Sequence, residues 1–448
     1  MTENSSLGRI LFITLGCAKN EVDTDRMRAL LLASGFEETF DVEDADAAIV
    51  NTCSFLASAT EESVEATLEL AESRAEGVRS CPIIMCGCVP SRYGDDLPEQ
   101  LPEVAAFVKA EDEDGIVDVV AGVLGVSVGA PVLDAGAMLR TVQGASAFVK
   151  ISEGCDRFCA FCAIPYIRGR YHSRPADEIV SEVSALMERG VREVVLIGQD
   201  TGIWGSDFDD DETLAELLVR VAEVVRPYNG WVRVLYLQPE GMTDELIAAI
   251  RDTPEVLPYI DIPIQHCSAR VLKAMGRSGD PQQLHELFAK LRSEIPGMVL
   301  RTTGMAGFPG ETDEEADELF DFIESEEFDY TSVFAYSQEE GTRAAAMDGQ
   351  VDEETKLERT QRLIDLVEEL GFSATAKHVG ERVEVIVDGV EETEDGVELI
   401  GHAWFQAPDC DGAVHIASGE AAVGDIVTVD LVDSFCYEMV GEIVKEVM

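Results

Sequence analysis

The sequence predicts an α/β protein in three parts. These are an N-terminal open parallel sheet domain over residues 1–135, a central incomplete (β/α)6 barrel over 141–371 and a small antiparallel β-barrel over 374–448. Three observations predict it. Strand and helix patterns alternate in two separate stretches, as they do in parallel sheets. A weakly patterned, glycine-bearing stretch from about Glu111 to Gln143 lies between them and reads as a last helix plus a linker. From Ala374 onward the pattern changes to short β segments. At 448 residues the chain can hold several domains, and its apolar fraction of 46% is ordinary for packed ones.

Residues 9–15, RILFITL, read as a buried strand ending at Gly16-Cys17. Asn20 to Leu32 follows with Met27, Leu30 and Leu31 at helical spacing. A second strand, Asp46–Asn51, ends at Thr52-Cys53, and a helix spans about Ser58 to Arg74. A third strand, Pro82–Met85, ends at the Cys86-Gly87-Cys88 turn. In open parallel sheets, ligands gather beyond the carboxyl ends of the strands. Cys17, Cys53 and Cys88 each sit just past such an end, so three thiols far apart in sequence are expected to meet and carry a metal cluster. Cys86 competes for the third place. Cys88 follows a glycine in the turn, whereas Cys86 and Cys81 belong with the strand; any one of these cysteines alone could equally be a small core residue.

In the central part, strands are expected near 146–151, 193–198, 231–237, 258–264, 298–304 and 330–335. Six strand–helix units suggest an incomplete barrel with its chemistry at the C-terminal strand ends. The loop after the first strand carries Cys155, Cys159 and Cys162. Three cysteines at this spacing can reach three corners of one iron–sulfur cube. No fourth follows before Cys267, which leaves one iron open to a ligand that is not protein. Structural zinc is the alternative, but zinc sites usually come as paired CxxC half-sites and the chain has no second one. The next helix starts at Ser173-Arg174-Pro175, buries Ile179, Val183, Leu186 and Met187 on one face and stops at Gly190.

Other features read as structural. The glycine-rich stretch Gly304–Glu311 follows a strand but lacks the lysine that grips phosphates. Gln265-His266 ends a strand on the catalytic face, where a hydrogen-bonded structural histidine is favoured. Cys267, Cys410 and Cys436 lack partners at metal spacing and read as packing residues. The acidic run from Asp207 to Asp211 reads as a solvated loop and helix start.

The C-terminal segments ERVEVIVDG, VELIGHAWF, AVHIAS, DIVTVDLVDS and YEMVGEIV are separated by turns such as Asp388-Gly389 and Asp395-Gly396. This part holds three basic residues against seventeen acidic ones, a net charge of −14. The whole chain carries 33 basic and 88 acidic residues, a formal charge of −55. Such a surface repels phosphate backbones and attracts basic partners, so nucleic acid is not expected as the primary partner. A salt-adapted proteome would give the same composition. No apolar run of eighteen residues suggests a membrane span. The N-terminus, MTENSSLGRI, shows no secretory signal, so a cytoplasmic location is expected. There, clustered members of the eleven cysteines serve metals better than disulfides.

These residues carry a resemblance. The CxxxCxxC motif at Cys155, Cys159 and Cys162, with an aromatic residue before its last cysteine, resembles the radical S-adenosylmethionine (SAM) superfamily. Its surroundings, KISEGCDRFCAFCAIPYIRGR with HSRP close behind, are similar to the methylthiotransferases of that superfamily. TLGCAKN at Cys17, NTC at Cys53 and CGCVPSRY at Cys88 match the same family, and the C-terminal part resembles its TRAM domain. LGCAKNEVDTDRM, NTCSFLASATEESVEA, LIGQDTGIWG, YIDIPIQHCSARVLKAMGR and APDCDG resemble the branch that modifies a ribosomal protein. The branch that modifies transfer RNA adenosine usually carries asparagine where this chain has Asp200-Thr201. One departure is Gln238 before Pro239, where many members of the ribosomal-protein branch have tyrosine.

The resemblance implies two 4Fe-4S clusters, one on Cys17, Cys53 and Cys88 and one on Cys155, Cys159 and Cys162. The second would bind SAM through its open iron. Phe161 would lie beside the adenine, with Gly198, Gln199, Gly304 and Gly307 as cofactor-binding positions. One electron would cleave SAM to a 5′-deoxyadenosyl radical. The radical would take hydrogen from the β-carbon of an aspartate in ribosomal protein S-twelve, and a methylthio group would replace it. The implied partners are that basic ribosomal protein and an electron donor such as a flavodoxin or ferredoxin. A transfer RNA methylthiotransferase and a non-catalytic iron–sulfur protein are the alternatives.

Overall fold

A computed structural model describes residues 6–75, 81–129, 140–142, 144–209, 212–393 and 396–444. The chain forms two compact units: Met1–Val142 with Glu153–Asp156 and Cys162–His172, and Gln143–Ser152 with Arg157–Phe161 and Ser173–Met448.

The first unit is built on strands β1 (Arg9–Thr14), β2 (Glu37–Thr39), β3 (Ala47–Thr52), β4 (Ile83–Gly87) and β5 (Val104–Lys109). They pair in parallel in the order β2-β1-β3-β4-β5. Helices α1 (Ala18–Ala33), α2 (Ala57–Ala75), α3 (Cys88–Tyr93), α4 (Leu97–Gln100) and α5 (Ile116–Leu124) connect and cover them. Alternate side chains of a strand point to opposite faces. Ile49, Ile84 and Cys86 therefore pack with Met27 and Leu30 of α1 and Val120 of α5. Val50, Ile83 and Met85 pack with Leu70 of α2 on the other face. Strands covered on both sides read as continuous apolar runs, as β3 and β4 do. The edge strand β2 has only Glu-Glu-Thr, too short and polar to show a period, and it is absent from the sequence reading. So is β5, the opposite edge, half exposed along its length. Most of the expected linker, residues 130–139 and 143, lies outside the described residues.

The second unit opens with β6 (Ser146–Lys150). The cysteine loop that follows is flanked by the two-residue strands β7 (Ser152–Glu153) and β8 (His172–Ser173), with a single helical turn, α6 (Ile164–Ile167), within it. Then come α7 (Ala176–Glu188), β9 (Glu193–Ile197), α8 (Leu214–Val225), β10 (Trp231–Val234), α9 (Asp244–Asp252) and β11 (Val256–Asp261). Next are α10 (Ala269–Met275), α11 (Pro281–Glu294), β12 (Val299–Ala306), α12 (Asp313–Glu326), β13 (Tyr330–Ala335) and α13 (Glu353–Ala376). The six long strands form an open sheet in the order β13-β12-β11-β10-β9-β6. This is the incomplete barrel. Helix α8 starts at a capping box of Thr213 and Glu216 rather than within the acidic run, whose Asp210 and Asp211 lie outside the described residues. Asp207 instead accepts the Ser173 N–H at 3.0 Å.

Strands β14 (Arg382–Thr393), β15 (Gly396–Ala403), β16 (Val414–Ser418), β17 (Ile426–Ser434) and β18 (Met439–Ile443) close into a barrel ordered β14-β15-β16-β18-β17. Two expectations need correction. The barrel is not wholly antiparallel, because β16 and β18 pair in parallel. Asp388-Gly389 is no turn either: it lies inside β14, where the register with β15 slips between Val387 and Gly389. A bulge of this kind re-aims a side chain. Here it sends the Asp388 carboxylate to His402 Nδ1 at 2.6 Å. Asp395 lies outside the described residues. Among the described residues no helix is long and apolar enough to cross a membrane.

His402 anchors this barrel on the central sheet. Its Nε2 meets Glu193 Oε2 at 2.5 Å, and the other Glu193 oxygen accepts from Arg233 Nε at 2.6 Å. Burial opposes the imidazolium charge, but Glu193 and Asp388 outweigh it and push the His402 pKa up to about 9, from an ordinary 6.5. The folded value lies above the unfolded one. The pairing therefore stabilises fully below pH ~6.5 and is lost as pH rises through ~9, an effect of roughly 3 kcal/mol. Urea unfolding should show the parent's advantage over His402→Gln shrinking by that amount between pH 6.5 and pH 10. An advantage that does not change with pH would contradict a protonated His402.

Candidate cluster sites

Cys17, Cys53 and Cys88 all lie at carboxyl ends of adjacent strands of the first unit. Cys17 follows β1 and is the N-cap residue of α1, Cys53 follows β3, and Cys88 follows β4 and opens α3. The turns before Cys17 and Cys88 demand glycine. Gly16 has φ +103°, and a Cβ there would stand 2.6 Å from Cys53 Cβ. Gly87 has φ +91°, and a Cβ there would stand 2.3 Å from Asn51 Oδ1. Each glycine lets one cysteine-bearing turn close on the neighbouring strand end. Cys86, by contrast, is fully buried in the sheet core and faces away among Ile49 and Ile84.

The three thiols sense one another. Burial raises the Cys53 pKa, with Cys17 adding to the rise and Arg168 opposing it. Burial pushes Cys88 up to about 11, against the pull of Arg168, with Cys53 and Cys17 adding to the rise. Asn20 lies between them: its Oδ1 is 3.8 Å from Cys17 Sγ and 4.0 Å from Cys88 Sγ. Its Nδ2 donates to Leu15 and Thr52 carbonyls, both at 2.8 Å, which fixes the amide's orientation. Ser63 brackets Cys53, accepting its N–H at 3.1 Å and donating to its carbonyl at 3.0 Å. Three sulfurs with a cation beside them form a donor set suited to thiolate ligation of soft metal. Among the described residues, no three His, Cys, Asp or Glu side chains converge tightly enough for a single metal ion. A cube presents its irons at separate corners, so cluster ligands stand wider apart than ligands of one ion.

The second cysteine loop is pinned at several points. Cys155 is buried and its N–H donates to Gly169 O at 3.2 Å; Tyr171 N–H donates to Asp156 at 3.1 Å. In the other unit, Ala160 N–H donates to Met275 O at 2.7 Å and Ala160 O accepts from Ala344 N–H at 2.8 Å. Phe158 takes the left-handed φ of +47°, and Arg343 holds its carbonyl at 2.9 Å. Two cations bring positive charge to Cys159. Arg157 pairs with Asp200 and, at 3.1 Å, with Glu240. Burial works against its charge, but these carboxylates raise its pKa. Arg277 bonds Gln238 and the Pro263 carbonyl, and burial lowers its pKa.

Of the expected cofactor-binding positions, Phe161 packs beside Val271, Met275, Phe308 and Tyr336. A Cβ on Gly198 would meet Ser152 Oγ at 2.5 Å, and one on Gly304 would meet Ile323 Cδ1 at 3.3 Å. The space beside Gly307 is filled by the Lys356 stem, 2.1 Å from an added Cβ. At these glycines the missing side chain makes room for protein packing, not for a ligand. Gln199 lies two residues past the end of β9, partly buried between Gly198 and the buried Asp200. His266 is structural: its Nδ1 accepts from the Cys267 and Ser268 N–H groups, both at 3.0 Å. Cys410, expected to be packed, is exposed; Cys267 is buried and Cys436 partly so.

Sequence reasoning missed Asn20, Arg157, Arg168 and Arg277, although Arg157 lies inside the cysteine motif and Arg168 six residues after it, and both could have been singled out. Nor does the sequence reveal the backbone of Tyr236 and of Gln265, named above only with its histidine, whose φ values of +63° and +68° place strained backbone past β10 and β11. Non-glycine residues in this region gather at functional sites.

Comparisons with known proteins agree with this architecture. The profile of the Radical SAM superfamily matches residues 149–323, that of the uncharacterized protein family UPF0004 residues 9–109 and that of the TRAM domain residues 379–444. The ribosomal protein uS12 methylthiotransferase RimO of Pelobacter propionicus is 42% identical over 452 residues, covering 98% of this chain and 99% of that one. The protein of the same name from Desulforamulus reducens is 40% identical, covering 97% and 99%. Among solved structures, the radical SAM methyltransferase TsrM of Kitasatospora setae superposes with a TM-score of 0.55 at 14% identity, covering 73% of this chain and 74% of that one. The cobalamin-dependent SAM radical enzyme OxsB reaches 0.52 at 13%, covering 80% and 56%. At these identities the likeness to TsrM and OxsB is one of fold.

Proposed function

Because this chain belongs to the family of ribosomal protein uS12 methylthiotransferases, we propose that it puts a methylthio group on the β-carbon of an aspartate in that ribosomal protein, by radical SAM chemistry. The observation that carries this reading is the meeting of Cys17, Cys53 and Cys88 in a chain that also bears the Cys155, Cys159 and Cys162 loop. Each trio would hold one 4Fe-4S cluster, and each would leave one iron without a protein ligand. When bound, the clusters and SAM supply a carbon-centred radical and the sulfur to be transferred.

The chain's own residues position and shield. The hydrogen bonds at Ala160 and Phe158 hold the Cys159 loop in place, so little ordering remains to be done on binding SAM. Phe161 supplies an apolar face for the adenine. Gly198, Gln199, Gly304 and Gly307 would meet SAM through backbone rather than through vacated side-chain space. Division of labour follows the parts: the first sheet for sulfur, the open barrel for SAM, the TRAM barrel for docking. A cytoplasmic location and a flavodoxin- or ferredoxin-like electron donor belong to the same proposal.

The charge of −55 supports a basic protein partner over a phosphate backbone. Affinity for the ribosomal protein should fall as salt rises from 0.1 M to 1 M, where the screening length drops from about 10 Å to about 3 Å. Binding unchanged across that range would exclude electrostatic docking. To test the activity, the purified protein is reduced without oxygen in the presence of SAM and the ribosomal protein. Formation of 5′-deoxyadenosine with a modified substrate is expected. A protein that merely stores or delivers clusters would give neither.

A further inference from the structure

Arg168 lies six residues beyond Cys162 yet folds against the other cysteine trio. It is buried, as are Asp23 and Asn20. Its Nη1 pairs with Asp23 Oδ2 at 2.8 Å and reaches Glu153 Oε2 at 3.6 Å, while its Nη2 donates to Asn20 Oδ1 at 2.7 Å. Ile167, its neighbour in the chain, packs directly on Cys88. The positive charge of Arg168 reaches Cys53 and Cys88 as well. Asn20 Oδ1 faces the sulfurs of Cys17 and Cys88, and Arg168 occupies that oxygen's lone pair.

We propose that Arg168 is a positioning residue of the Cys17–Cys53–Cys88 centre, setting its reduction potential through its charge and through the N–H it donates to Asn20, whose oxygen faces the Cys17 and Cys88 sulfurs. The inference rests on the proposed cluster at these cysteines. Hydrogen bonds to the sulfurs and net local charge are two of the terms that set the potential of an iron–sulfur cluster. A buried positive charge beside the thiolates, and an N–H drawing electron density from the Asn20 oxygen that faces them, both favour the reduced state. Without Arg168, the Asn20 oxygen would face the sulfurs with its dipole unopposed and the buried Asp23 charge would lose its counter-ion, both of which favour the oxidised one. Five fixed donors suit guanidinium to this bridging position, and a lysine would keep the charge but not the fork.

The test uses the full chain with Cys155, Cys159 and Cys162 replaced by alanine, so that any cluster is the first one. Iron analysis and the midpoint potential are measured on this parent and on its Arg168→Gln, Arg168→Lys and Asp23→Asn variants. With about four irons retained, Arg168→Gln should lower the reduced-to-oxidised ratio about tenfold at fixed poise, a shift of about 59 mV for one electron. Arg168→Lys should recover part of it. Asp23→Asn, which removes the opposing carboxylate, should shift the potential the other way. If Arg168→Gln holds no iron, the Asp23→Asn arm decides: a raised potential supports the inference and an unmoved or lowered one overturns it. Equal potentials in all variants overturn it too. A parent without iron would sink the proposed cluster itself, whereas iron with unmoved potentials sinks only the role of Arg168.

Discussion

Replacing Cys17, Cys53 or Cys88 by alanine should leave about four of about eight irons on the anaerobically purified protein. It should abolish methylthio product while 5′-deoxyadenosine continues to form. The reason is a separation of tasks. The stretch of the second loop around Cys159 is held by Met275, Ala344 and Arg343, none of which belongs to the first sheet, and Cys155 is held by Gly169 within its own loop. Loss of a thiol beside Asn20 removes a ligand from one centre and leaves these hydrogen bonds of the other in place. The converse replacement of Cys155, Cys159 or Cys162 should also leave about four irons, but with neither 5′-deoxyadenosine nor product. Replacing Cys86 should cost no iron, since it faces the sheet core. Iron and sulfide analysis with product chromatography reads all three.

Glu193→Gln should destabilise the second unit by about 3–5 kcal/mol, the cost of leaving a buried charge unpaired. Glu193, Arg233 and His402 are almost wholly buried, and Glu193 serves both cations at once, through one oxygen each. Burial alone would raise the Glu193 pKa, but Arg233 and His402 outweigh it and hold the value below the usual carboxylate range. An amide cannot neutralise either partner. Arg233 also lies over the Tyr259 ring, 4.4 Å from its centroid, so it has no route to solvent. Denaturant unfolding followed by intrinsic fluorescence would measure the loss, because Trp231 packs edge-on against His402 at 6.0 Å. A change below 1 kcal/mol would mean that the network relaxes into water.

The parts of the structure that repeat a simple period were legible in the residues. β3, β4, β9 and β10 are buried along their whole length, and their apolar runs announce them; RILFITL is only partly buried but carries the same run. The cysteine trio at three strand ends was legible for a topological reason, since parallel strands bring their carboxyl ends to one edge. What escaped was set by contacts between distant residues. β2 is three polar residues held by pairing with β1 and by an ion pair of Glu38 with Arg28, at 2.9 Å. At the bulge, His402, itself held by Glu193, gives the Asp388 carboxylate a partner, and a local reading of Asp-Gly sees only a turn. Arg168 has no pattern of its own, because its meaning lies in Asp23 and Asn20, nearly 150 residues earlier. The glycines at 198, 304 and 307 pointed to a pocket, yet their vacated space packs against Ser152, Ile323 and Lys356.

The central claim is that the sulfur goes to a protein. The most direct measurement compares, by mass spectrometry, ribosomal protein uS12 and transfer RNA from cells with and without this gene. The account predicts that a uS12 peptide loses one methylthio group when the gene is deleted, and that transfer RNA is unchanged. A methylthio group lost from transfer RNA alone would contradict it.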